Sequence, residues 1–97
     1  MEILLSVDIK DLQKFKDMLL KDDVVSRASI MFKEGKALQG KEIYYCYVSG
    51  LEEQCKRAKE LTKDISKEVE GKEKDEVIKK IKEEEQKAME GFGGLFG

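Results

Sequence analysis

Gly35-Lys36 and Gly40-Lys41 place two amide and ammonium pairs in one short segment, a grouping that could grip a phosphate. A Walker A loop needs its lysine followed by Ser or Thr and an immediate helix, so that amides and hydroxyl converge on phosphate and magnesium. Here Glu42 follows Lys41, and strand-forming residues follow Glu42. An ordinary hairpin connection over Gly35 to Lys41, using the conformational freedom of glycine, explains the segment better. Lys33, Lys36 and Lys41, with Arg27 upstream, form a modest basic concentration. Tyr44, Tyr45 and Tyr47 lie close by and could stack on bases, as strand aromatics do in sheet-based RNA-binding modules. The formal net charge of −2 works against that reading, and no strand carries an aromatic-basic consensus. Tyrosines in a core or at a protein interface account for the same residues.

Nucleophilic and metal chemistry find little material. The chain has no histidine, which removes the commonest general acid/base near neutral pH and the commonest metal ligand. Cys46 and Cys55 do not form a CxxC pair, and neither has a histidine to lower its pKa. Asp22-Asp23 and Glu83-Glu84-Glu85 are the acidic clusters. Consecutive acids on a helix point in different directions, and the twelve-residue calcium loop pattern is absent. They read as solvated charge, and no paired carboxylates are fixed by sequence across a cleft. No metal or cofactor is expected.

Composition narrows the class further. With 97 residues the chain fits one domain with one modest core. Charged residues make up 41% of it, against about 25% in an ordinary soluble protein, with 19 basic and 21 acidic side chains. Such balance implies a heavily solvated surface laced with helical ion pairs and is compatible with a thermophilic source. No apolar run approaches the roughly 20 residues that span a bilayer. The start, MEILLSVDIKD, lacks a basic n-region, so the expected compartment is the cytoplasm and no membrane association is expected.

Around these residues the elements can be placed. Ile3, Leu5, Val7 and Ile9 alternate with polar neighbours, Leu4 excepted, and predict an early and central strand. Asp8 suits a cap for the helix that follows, whose Leu12, Phe15, Met18 and Leu19 share a face. A second strand is predicted over Val24 to Lys33 and a third over Ile43 to Val48. The third is apolar on both faces, which means either burial on both sides or a face reserved for contact. Ser49 and Glu52 have the spacing of a capping box, so Ser49→Ala is expected to weaken the next helix. That helix is read as one long element, with Leu51, Cys55, Ala58, Thr62, Ile65 and Val69 on one stripe. After Gly71 a charged helix over 72–90 has a thin apolar face of Val77, Ile78, Ile81, Ala88 and Met89. The tail GFGGLFG is too rich in glycine to continue a helix cheaply.

The expected fold is therefore α+β in the order β-α-β-β-α-α, a small split β-α-β-like sandwich. Its three-stranded mixed sheet carries the helices mainly on one face, the ferredoxin-like plan without its last strand. Residues 1–70 form the compact core, 71–90 the charged helix, and 91–97 a flexible tail. Phe92, Leu95 and Phe96 are candidates for an accessory binding segment. The expected function is a small protein-interaction or self-associating module. The alternative is binding of RNA or a small anionic ligand through the sheet face and the lysine-rich hairpin. A small enzyme using carboxylates ranks third.

Overall fold

The computed structural model describes residues 1–35 and 42–96, with side chains through Gln86. The alternating apolar start forms β1 (Glu2–Asp8). The Asp8 carboxylate accepts the Lys10 amide at 3.1 Å and caps a 3-10 turn over Ile9–Asp11. That turn feeds α1 (Leu12–Leu20), whose buried Phe15 and Leu19 follow the expected stripe. Strands β2 (Ser29–Glu34) and β3 (Ile43–Ser49) come next, then α2 (Glu52–Thr62), β4 (Ser66–Val69) and α3 (Gly71–Phe96).

The sheet has four strands in the order β2-β3-β1-β4, and every adjacent pair is antiparallel. This corrects the expected three-stranded mixed sheet. Strands β1 and β2 do run in the same direction, but β3 lies between them. The missing strand was hidden in the supposed long helix. Thr62 Oγ1 donates to the Ala58 carbonyl at 2.8 Å, and Ser66 Oγ donates to the Thr62 carbonyl at 2.9 Å. Such local side-chain bonds compete with helix continuation. Val69 then pairs with Leu4, covering the edge of β1 that would otherwise stay open.

The second strand also begins later than expected. Residues Val25–Arg27 form a 3-10 turn rather than strand, because Asp22 Oδ1 accepts the amides of Val24 and Val25, both at 3.0 Å. The other carboxylate oxygen of Asp22 accepts Arg57 Nε at 2.7 Å, joining this turn to α2.

Ser49 does not cap α2. It stays in the ladder opposite Glu2 and Ser29, and the cap position falls on Leu51. Gln54 takes over the expected role, its Oε1 accepting the Leu51 amide at 2.8 Å. Gly50 permits this approach, since a Cβ there would lie 2.3 Å from Gln54 Oε1. Gln54→Ala is therefore expected to lower stability by about 0.5–2 kcal/mol, the usual cost of a lost helix-start bond. An unchanged denaturation midpoint in that variant would remove Gln54 from this role.

Helices lie on both sides of the sheet, not mainly on one. On one side α1 and α2 enclose a core of Ile3, Leu5, Val7, Phe15, Leu19, Val25, Cys46, Val48, Cys55 and Ala58. Phe15 and Phe32 meet edge to face there, ring centroids 6.2 Å apart. On the other side α3 adds Ile78 and Ile81 to Leu4, Tyr45, Tyr47 and Val69. The helix extends to Phe96, past the end expected at Glu90.

Candidate functional site

The face beneath α3 is built by strand register. Met31 lies opposite Tyr47, Tyr47 opposite Leu4, and Leu4 opposite Val69. Because side chains alternate between faces, these four form one apolar lane across all four strands. The adjacent row of the same face runs Lys33, Tyr45, Ser6 and Lys67, and is polar apart from the tyrosine. Leu4, which broke the alternation in sequence, is fully buried in the lane.

Helix α3 closes the lane with Val77, Ile78 and Ile81. Polar bonds flank this stripe. Tyr45 donates its hydroxyl to Glu73 Oε1 at 2.9 Å, and Tyr47 donates to Glu2 Oε1 at 2.6 Å. The same Glu2 oxygen accepts Lys82 Nζ at 3.2 Å, while Lys74 Nζ donates to the Glu2 backbone carbonyl at 3.1 Å. Farther along the helix, Glu84 pairs with Lys33 of β2. Glu73, Val77, Ile81 and Glu84 recur at helical spacing, so one stripe carries both the apolar and the polar attachment.

The Tyr47 hydroxyl and then Lys82 hold the Glu2 carboxyl below its ordinary value of 4.5. Burial, with help from the neighbouring carboxylates Glu73 and Glu2 respectively, raises the Tyr45 and Tyr47 hydroxyls, so both stay neutral donors. A depressed carboxylate stabilises the fold above its unfolded pKa and loses that contribution as pH falls through its folded pKa. The attachment of α3 is accordingly expected to loosen on acidification, as pH falls below the ordinary carboxyl value of 4.5 and through the lower folded value of Glu2. Amide exchange in α3 followed against pH checks this, with Glu2→Gln expected to flatten the dependence. An equally steep profile in Glu2→Gln would assign it to another group.

The three tyrosines do not form one stacking platform. Tyr45 and Tyr47 are 8% and 5% exposed beneath α3, whereas Tyr44 points to the opposite side and packs against the α1–α2 core. Arg27 is exposed in the turn before β2, and Lys33 is engaged by Glu84. Lys36 and Lys41 lie outside the described residues, as do the side chains of Phe92, Leu95 and Phe96. The structure thus brings Lys33, Tyr45 and Tyr47 together and separates Arg27 and Tyr44 from them. Sequence reasoning missed Leu4, Met31 and Val69, and also Glu2, Glu73, Lys74, Lys82 and Glu84. The available signal was Leu4 inside an alternating strand, together with β3 being apolar on both faces.

Other chemistry has weak geometric support. Cys46 is fully buried, and burial pushes its thiol up to about 12, leaving it protonated and unreactive at neutral pH. Cys55 is likewise buried and its pKa raised for the same reason. A surface hollow near the end of β1 gathers Asp8, Asp11 and Asp64 with Lys10, Lys63 and Lys67, but Asp8 is already committed to its cap. Among the described residues no group of three or more His, Cys, Asp or Glu stands so as to hold a metal ion. No helix among them is long and apolar enough to cross a membrane. No protein-family model matches the chain, and no match was found among curated proteins or solved structures.

Proposed function

We propose that this chain is a protein-interaction module of the split β-α-β plan, whose binding surface is the apolar lane now occupied by its own C-terminal helix. The observation behind this reading is the Met31–Tyr47–Leu4–Val69 lane, closed among the described residues by Val77, Ile78 and Ile81 of a helix joined to β4 through the single residue Glu70. An apolar strip of this kind is poorly tolerated in water and attracts a complementary surface. A helix laid in a groove by residues at three- and four-residue spacing is also a common mode of peptide recognition. Helix α3 is then a built-in ligand, and an amphipathic partner helix competes with it. The same cover argues against base stacking, because both tyrosine rings of the face are buried and acidic Glu2, Glu73 and Glu84 border them.

Retention from a cell extract by an opened variant tests the reading. Ile78→Asp combined with Ile81→Asp removes the cover, and this variant is expected to retain proteins that the parent does not, with or without nuclease. Adding Met31→Glu places a charge in the lane and is expected to abolish that retention. Retention of nucleic acid alone, or retention indifferent to Met31→Glu, would overturn the proposal.

A further inference from the structure

We propose that the partner helix is α3 of a second copy, so that two chains exchange their C-terminal helices and each covers the lane of the other. The inference deepens the interaction reading and rests on it. Its first support is the junction. Strand β4 ends at Val69, α3 begins at Gly71, and Glu70 is the single residue between them. Gly71 has φ of +70°, the left-handed conformation that turns the chain back over its own sheet. No atom beyond the adjoining chain lies within 4 Å of the position a Cβ would take there, so a side chain at 71 would strain the backbone angle of this reversal without clashing with the rest of the molecule. A short hinge favours exchange once it is put under strain, because a straightened hinge sends the following element to a neighbour.

The second support is complementarity. The three apolar side chains of α3 and the lane they cover are matched within this sequence. So are the flanking pairs: Glu73 with Tyr45, Lys82 with Glu2, and Glu84 with Lys33. A second copy offers all of them in the same register, whereas an unrelated helix must reproduce both the stripe and the charge order. Exchange therefore changes only the hinge and retains every described contact of the face. It also closes on itself as a two-fold dimer, with no lane left open. Within one chain the tether gives α3 a high effective concentration, so the folded-back form dominates until the hinge disfavours it or the protein is concentrated.

Hinge variants of the full chain decide the matter. Gly71→Val places a branched side chain at a backbone angle it rarely adopts, and deletion of Glu70 leaves too little chain to turn back. Both are expected to shift sedimentation mass from one chain of 11.1 kDa to twice that value. In a dimer formed from isotope-labelled and unlabelled chains, contacts of Ile81 with Leu4 and Tyr47 are expected between the two chains. Two results overturn the proposal. One is that both variants stay monomeric or unfold without dimerising, since exchange should rescue the fold. The other is a dimer in which those contacts remain within each chain. Should the hinge variants stay monomeric while the Met31→Glu effect on retention persists, exchange is removed and the interaction reading stands.

Discussion

Leu5→Ala is expected to destabilise the protein by about 2–5 kcal/mol, the range seen when a buried leucine is truncated and the cavity only partly collapses. Leu5 is 1% exposed and sits in β1, one of the two inner strands. Its backbone is held on both sides, opposite Cys46 in β3 and Glu68 in β4, so the strand cannot shift to fill the space. Above it the core is closed by Phe15 and Leu19 of α1 and by Cys55 and Ala58 of α2, none of them measurably exposed. A domain of this kind has roughly 5–15 kcal/mol of stability in total, so the loss is a large share of it. Equilibrium denaturation of the variant measures the cost directly. A loss below about 1 kcal/mol would mean that the site collapses or that Leu5 is not enclosed as described.

This core was largely legible in the sequence, because its residues follow simple periods. Ile3, Leu5 and Val7 alternate, Phe15 and Leu19 lie one helical turn apart, and all five meet in the same cluster, with Ile30 and Ile65 packed against it. What escaped was carried by segments whose patterns fit two structures. Thr62, Ile65 and Val69 continue the stripe of α2 at helical spacing, so SKEV looked like helix. In three dimensions Ile65 packs against one core and Val69 enters the other, a division that a single helical stripe does not make. The edge strand is specified instead by the unpaired side of β1 and by hydroxyl bonds at Thr62 and Ser66, neither of which shows as periodicity. The N-cap was misplaced for a related reason. Ser49–Glu52 and Leu51–Gln54 share one spacing, and only the β3 ladder selects between them by holding Ser49 in the sheet.

The candidate face was half visible. Apolarity on both sides of β3 allowed either burial or a contact surface, and in the structure both faces are buried, the second of them beneath α3. The stripe Val77, Ile78, Ile81, Ala88 and Met89 looked thin as a helix face, and its first three residues are the ones described in contact with the lane. It suffices here because the lane is narrow, one residue from each strand, and because four polar bonds and an ion pair flank it. Cross-strand register, which brings Met31, Tyr47, Leu4 and Val69 into line, depends on pairings between distant segments that no local pattern encodes.

Ile81→Ala is expected to act on α3 alone, and thereby to separate the cover from the core. Ile81 is 3% exposed between the helix and the lane, so truncation should cost the docked helix about 2–5 kcal/mol. Its effect on the rest of the protein is bounded differently. Helix α3 joins the sheet by one stripe, whereas β1, β3, α1 and α2 share the separate core around Phe15. A weakened helix can therefore undock before that core opens, as expected of a sub-global unit with its own stability. Native-state amide exchange distinguishes the two events. Protection in the first half of α3 should fall about thirty-fold or more, since roughly 1.4 kcal/mol corresponds to each factor of ten. Strand β1 and helix α1 should retain most of theirs, while Tyr45 and Tyr47 report the change through their near-ultraviolet dichroism as their rings meet water. Equal loss of protection in α3 and β1 would show that the molecule opens only as a whole. A cover that cannot leave without unfolding the sheet could neither yield to a partner helix nor pass to a second copy, and both proposals would fall together.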